Sequence, residues 1–228
     1  MAAIADNLQV VRTRIAAAAR AAGRDPQAVT LLAVSKTHAA ARIAEAAAAG
    51  QRAFGENYVQ EAAEKIDSLA QKRLEWHLIG PLQSNKTRLA AERFEWVQTV
   101  ASEKIARRLS EQRPAGLAPL NVLIQVNASG EASKSGIAPA AAAALASSVA
   151  TLKNIRLRGL MAIPEPGAPR ERYREVRELY ERMKAEFGFD TLSMGMTDDM
   201  ELAIAEGATM VRIGTAIFGQ RQKQKSAA

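Results

Sequence analysis

A compact (β/α)8 barrel is the fold this sequence predicts, and three observations predict it. Eight short, mostly apolar runs alternate with helical segments along the 228 residues. Alternation of that kind calls for a parallel sheet. The units are evenly spaced, and no Pro/Gly/Ser-rich linker divides the chain. The expectation is therefore one domain over residues 1–228, with an extra helix in front and residues 221–228 as a disordered tail. An open doubly wound sheet is the alternative arrangement of the same elements.

The elements follow in order. Met1 to Gly23 is Ala-rich and carries Ile4, Leu8, Val11 and Ile15 at helical spacing. Val29-Thr-Leu-Leu-Ala-Val-Ser-Lys36 is an apolar run that reads as a strand buried on both faces. Thr37 to Ala49 is helical and stops at Gly50; Ala53–Asn57 is a second strand, followed by a helix from Tyr58 to Lys72. Glu75–Gly80 is the third strand, with a helix from Ser84. Trp96–Val100 is the fourth, with Ser102 capping a helix to Gln112. Leu120–Asn127 is the fifth strand, before a polar loop and an Ala-rich helix to about Leu152. Ile155–Ile163 is the sixth, and a charged helix spans Arg170 to Phe187. Thr191–Met196 is the seventh. Asp198, with Glu201 three residues on, predicts a capped helix next, and Thr209–Phe218 is the eighth strand.

Composition narrows the chemistry. There is no cysteine, so disulfides, thiolate metal sites and a cysteine nucleophile are excluded. Two histidines argue against a histidine metal site, and none is expected. No apolar run approaches the roughly 18 residues needed to span a bilayer, and the N-terminus lacks a secretory pattern. A cytoplasmic protein without membrane contact is expected. The net charge is +7. The basic residues are spread over many helices and not interleaved with aromatics, which argues against specific nucleic-acid binding.

The candidate site follows from the barrel. Active sites of such barrels lie at the C-terminal ends of the strands. Lys36 falls there, on the strand face shared by Leu32 and Val34. A desolvated lysine has a lowered pKa, and a neutral amine attacks an aldehyde to form a Schiff base. The segments after strands seven and eight, Ser193-Met-Gly-Met-Thr197 and Arg212-Ile-Gly-Thr215, offer glycines, hydroxyls and helix N-termini suited to phosphate. Arg212 sits mid-strand among Val211 and Ile213 and can only donate hydrogen bonds. It suits either a helix carboxylate or a ring nitrogen or phosphate. His77 is either a satisfied core residue or a platform for a flat ligand. A lysine, a phosphate cradle and a ring-facing arginine together describe a site for pyridoxal phosphate.

Seven stretches carry a resemblance to a known family: Leu32–Lys36, Phe54–Tyr58, Trp76–Lys86, Ser133–Gly136, Gly159–Ile163, Ser193–Met200 and Val211–Gly219. In them the chain resembles the pyridoxal-phosphate homeostasis proteins, whose barrel is similar to the N-terminal domain of bacterial alanine racemase. The resemblance implies that Lys36 carries the cofactor and that Arg212 faces the pyridine nitrogen. It implies that Ser193, Thr197, Gly214 and Thr215 surround the phosphate. Asn57, His77, Gly195 and Met196 complete the expected cofactor set.

Two functions fit such a site. A carrier or buffer would hold pyridoxal phosphate and hand it to apo pyridoxal-phosphate enzymes, as a monomer and without metabolic turnover or catalytic residues. An amino-acid racemase would need a base on each face of the substrate. In racemases the second base is a tyrosine from an all-β domain of a partner subunit, and this chain ends soon after the barrel. Tyr173 and Tyr180 have packing spacing, and Tyr58 opens a helix near the mouth. An arginine on the ring nitrogen also disfavours protonating it, which weakens decarboxylase and transaminase readings but not the racemase, whose family uses the same arginine. An aldolase would need carboxylates in the mouth, and alternation turns Glu56 outward. The carrier is the favoured reading. Lys86 and Lys134, on rim loops, are candidates for capturing a departing aldehyde.

Overall fold

The computed structural model describes residues 3–130 and 135–220. Eight parallel strands close into a barrel in sequence order: β1 (Thr30–Val34), β2 (Ala53–Glu56), β3 (Glu75–Leu78), β4 (Trp96–Val100), β5 (Leu120–Val126), β6 (Ile155–Ala162), β7 (Thr191–Ser193) and β8 (Met210–Ile213). Closure comes from β1 pairing with β8, Thr30 opposite Met210 and Leu32 opposite Arg212. That pairing rules out the open sheet.

Helices α2 (Ala40–Ala48), α3 (Val59–Ser68), α4 (Thr87–Arg93), α5 (Glu103–Gln112), α6 (Ala142–Ala150), α7 (Arg170–Phe187) and α8 (Met200–Ala205) fill the crossovers, and α9 (Thr215–Phe218) follows β8. The extra helix α1 (Ile4–Ala21) buries Ile4, Leu8, Val11, Ile15 and Ala19. It packs outside the barrel against α2, α8 and α9. Arg24 donates to the carbonyls of Ile204 and Ala208, and Asn7 to that of Ile217. The helix thus fastens the seam where β8 meets β1.

The main apolar core lies between the strands and the helices. The lumen is different. Leu32, Ala53 and Met210 form one small cluster, and Trp96, Leu123 and Met161 another. Between them sit the buried polar side chains of His77, Gln98, Ser193 and Arg212.

Several boundaries differ from those the sequence predicts. The helix expected from Thr37 begins at Ala40, because Thr37 turns with φ 64°. The helix expected to Lys72 stops at Ser68, where a short 3-10 turn takes over. The seventh strand ends at Ser193, not Met196, since Gly195 leaves the extended region at φ 99°. The eighth ends at Ile213, not Phe218. Its neighbour β1 stops at Val34 and offers no further ladder, so Ile217 and Phe218 bury themselves as a helical turn. Asp198 does not cap α8. Asp199 holds that position, and its carboxylate instead accepts from the Met196 amide (2.5 Å) and the Tyr173 hydroxyl (2.7 Å). Ser102 does cap α5, accepting from Ile105 N at 3.4 Å.

Candidate functional site

A cavity of about 350 Å3 opens at the C-terminal ends of the strands, within the range of small-molecule sites. Lys36, Asn57, Met196, Thr197, Arg212, Gly214 and Thr215 all line it. Seven of the residues expected from the sequence are therefore brought together. His38, Ile163 and Asp198 line it too. Asp198 is exposed at the mouth, although its place in the sequence predicts a helix cap.

Lys36 follows β1 on the same face as Val34, which also lines the cavity. The turn carrying it is held from behind. Lys65 on α3 is buried and donates to the Ser35 carbonyl (3.0 Å), Glu56 (2.8 Å) and Glu61 (2.6 Å). Glu56 also accepts from the Ser35 hydroxyl at 2.6 Å, and Glu61 from the Thr37 amide at 2.7 Å. One ammonium therefore braces both residues flanking Lys36, and this hydrogen bonding supports the positive φ of Thr37. Burial pushes the Glu56 carboxyl above its ordinary value, and the Lys65 ammonium offsets only part of this. Glu56 faces away from the lumen, as alternation predicts. Nothing in the sequence around Lys65 marks it as buried, because on α3 it reads as one more charged residue.

Arg212 is buried, and burial pulls it from its ordinary value down to about 10, with Asp199 acting the other way. It remains a cation at neutral pH. Its guanidinium donates to the Ser193 hydroxyl and the Ala162 carbonyl, each at 2.9 Å. Its backbone amide donates to the Gly195 carbonyl at 3.0 Å, tying β8 to the loop after β7. A helix carboxylate as its hydrogen-bond partner, the alternative left open by the sequence, is not found among the described residues.

Ser193 and His77 are placed elsewhere. Ser193 is fully buried, and its hydroxyl is committed to Arg212 and to Gln98 (2.6 Å). His77 is fully buried with one ring face on Trp96, at 5.1 Å between centroids. Neither is among the residues lining the cavity. Ser193 sits beneath the cradle and His77 deeper in the lumen, where Trp96 holds a face that a flat ligand would need. The strand periodicity that located both cannot report depth along the barrel axis.

Of the residues expected around a phosphate, Thr197, Gly214 and Thr215 line the cavity, whereas Gly195 is buried behind it and shapes the loop that carries Met196 and Thr197. A Cβ at Gly195 would meet the Ala203 Cβ at 2.5 Å, so only glycine brings this loop onto α8. Gly195→Ala is expected to cost about 1–3 kcal/mol in stability, read by denaturant unfolding. Tyr173, seven residues from Tyr180, is a packing residue as its spacing suggested, and its hydroxyl also steadies this loop through Asp199. On the opposite wall, Gly80 packs on Asn57, where a Cβ would lie 2.2 Å from its carbonyl oxygen. The Asn57 side-chain oxygen is buried without a hydrogen-bond partner, an unsatisfied acceptor in the wall of the cavity.

Lys134 lies outside the described residues. Lys86 is partly buried at the end of a 3-10 turn and does not line the cavity. No group of metal-ligating side chains occurs among the described residues, and no helix there is long and apolar enough to cross a membrane.

A lysine, a buried arginine and two glycine- and threonine-bearing loops line the mouth of an eight-stranded parallel barrel, and the chain belongs to the alanine racemase N-terminal domain family, whose model matches residues 1–222. Within it, the chain is similar to the pyridoxal phosphate homeostasis proteins of Pseudomonas aeruginosa (61% identical, 97% of each chain) and Escherichia coli K12 (57% identical, 97% of this chain and 98% of that one). Among solved structures it is similar to PipY of Synechococcus elongatus with PLP bound, at 38% identity and a TM-score of 0.82, over 95% of this chain and all of that one.

Proposed function

We propose that this chain binds pyridoxal 5'-phosphate covalently through Lys36 and serves in its intracellular homeostasis as a carrier or buffer, without turning over amino acids. The observation that carries this is the cavity itself, which places Lys36, Arg212 and the Thr197/Gly214/Thr215 cradle on one surface. The groups present fit the cofactor: an amine for its aldehyde, a cradle for its phosphate, a pure donor for its ring nitrogen, and the unsatisfied Asn57 oxygen for a ligand donor. Relatives at 57–61% identity bear the homeostasis name, and the similar PipY structure contains PLP.

The bound cofactor supplies an aldehyde carbon and an electron-withdrawing ring. The residues of this chain do the rest. Lys36 is aimed by the turn that Lys65 braces. Gly214 would let the backbone approach the phosphate, with the turn at Gly195 shaping the facing loop, and Thr197 and Thr215 would add hydroxyl donors. Arg212 would offer a charged donor to the ring nitrogen, which disfavours protonating that nitrogen and would leave the ring a weaker electron sink. This disfavours decarboxylation and transamination, and leaves racemisation to be decided by the test below. Recipients would be apo pyridoxal-phosphate enzymes, met in the cytoplasm by a monomeric carrier.

The test mixes loaded protein with an apo pyridoxal-phosphate enzyme and a scavenger of free cofactor. Activation of that enzyme with no inversion of L-alanine supports the carrier. Sustained racemisation that disappears in Lys36→Ala would make the chain a racemase. The cradle has its own test. Thr215→Ala should weaken pyridoxal phosphate by about 1.5–3 kcal/mol while leaving pyridoxal nearly unaffected. Equal weakening of both ligands in titrations would place the phosphate elsewhere.

A further inference from the structure

The lumen beneath the cavity holds an unbroken chain of side-chain hydrogen bonds. Arg212 on β8 donates to Ser193 on β7 at 2.9 Å. Ser193 donates to the Gln98 carbonyl oxygen on β4 at 2.6 Å. The Gln98 amide meets His77 Nδ1 on β3 at 2.9 Å, and His77 Nε2 meets Glu75 at 2.8 Å. The chain therefore runs from the cavity floor to a carboxylate that is 47% exposed at the start of β3, toward the opposite end of the barrel.

Its direction is fixed from both ends. Arginine can only donate, so the Ser193 oxygen accepts and its proton goes to Gln98. The amide orientation of Gln98 follows, with its NH2 turned to His77, whose Nδ1 must be the bare acceptor. The other end agrees. Its hydrogen bond to His77 holds the Glu75 carboxyl below its ordinary value, and burial keeps His77 below its own. A neutral imidazole then donates Nε2–H to a carboxylate that only accepts. Every link points the same way, so one imidazole tautomer and one amide orientation satisfy the whole row.

Such a row costs desolvation in a lumen that apolar side chains fill elsewhere. A satisfied polar network of this kind holds its members in one geometry. We propose that Ser193, Gln98, His77 and Glu75 are positioning residues, forming a one-way relay that orients and polarises the Arg212 guanidinium toward the ring nitrogen of the bound cofactor. The proposal rests on Arg212 being the ring-nitrogen donor, and it predicts that a change at that nitrogen is felt at His77.

The test compares pyridoxal phosphate with its 1-deaza analogue, in which carbon replaces the ring nitrogen. Wild-type protein should prefer the natural ligand by about tenfold, the worth of one charge-assisted hydrogen bond. Gln98→Leu should shrink that preference to about twofold. Glu75→Gln, at a half-exposed position that preserves the fold, should reduce it in the same direction. In protein with 15N-labelled imidazoles, His77 should show a single tautomer protonated at Nε2. Its Nδ1 resonance should move when one ligand is exchanged for the other in wild type, and stay still in Gln98→Leu. A core residue with a merely structural role would leave that response unchanged. If wild type does not distinguish the two ligands, Arg212 does not meet the ring nitrogen and the relay falls with it. If it does distinguish them, but Glu75→Gln and Gln98→Leu keep the full preference, or His77 is unmoved in wild type, the relay alone is overturned. Should Gln98→Leu fail to fold, Glu75→Gln and the wild-type His77 response decide the matter.

Discussion

Lys36→Ala is expected to abolish covalent retention of pyridoxal phosphate. Wild-type protein purified with its ligand should absorb near roughly 420 nm, as a lysine-linked cofactor does, and borohydride should fix the adduct on Lys36. The variant should lose both the band and the fixed adduct. It should still bind the ligand weakly, because the cradle and Arg212 are untouched and each hydrogen bond to a charged group is worth about 1.5–3 kcal/mol. Mass spectrometry after reduction and proteolysis reads the outcome. An adduct found only on another lysine, Lys86 or Lys134 for instance, would remove Lys36 from its role.

The second large effect is on stability. Lys65→Met keeps the aliphatic stem but removes the ammonium that meets Glu56, Glu61 and the Ser35 carbonyl. Breaking a buried pair from one side leaves an uncompensated charge and costs about 3–5 kcal/mol. In a chain of this length that is a melting-point loss of about 10 °C. The deficit should depend on pH with a definite sign. Glu56 already titrates above its ordinary value in the fold because of burial. The fold therefore favours the protonated carboxyl, and stability is lost as pH rises above the unfolded value of roughly 4.3. Without Lys65 that upward shift grows. The stability gap to wild type should be widest near neutrality and close as pH falls toward that value. Adding Glu56→Gln should recover at least about 1 kcal/mol at neutral pH, since it removes the stranded charge. A gap independent of pH, with no recovery in the double variant, would show that Glu56 is not the ionised partner of Lys65. Cofactor retention should fall in the same variants, because the bracing of Ser35 and Thr37 is what aims Lys36.

Much of this molecule was determined by local sequence alone. Apolar runs alternating with helical stripes dictate a parallel α/β barrel, since each run needs cover on both faces. Lys36, Gly214 and Thr215 were legible because strand ends and glycine-hydroxyl loops have a fixed meaning in such a barrel. The inward face of β8 followed from period two, and with it Arg212.

Other features depended on contacts between distant segments. The eighth run is apolar throughout, and only the short reach of β1 decides that Ile217 and Phe218 turn into a helix. Asp198 and Asp199 are equivalent as caps in sequence. The approach of Tyr173 from α7 and the turn at Gly195 select Asp199 for the loop and leave Asp198 at the mouth. Period two put Ser193 and His77 on the lumen side without saying how deep. Their depth follows from the strand stagger, which sets them under the cavity, bonded to Gln98 from a third strand. Lys65 reads as a surface charge on α3 until the barrel folds Glu56 and Ser35 beneath it. Periodicity constrains which face a side chain takes, because the backbone repeat is local. Which partner it meets there, and whether water reaches it, is set by closure of the barrel, which brings together residues as far apart in sequence as Gln98 and Met210.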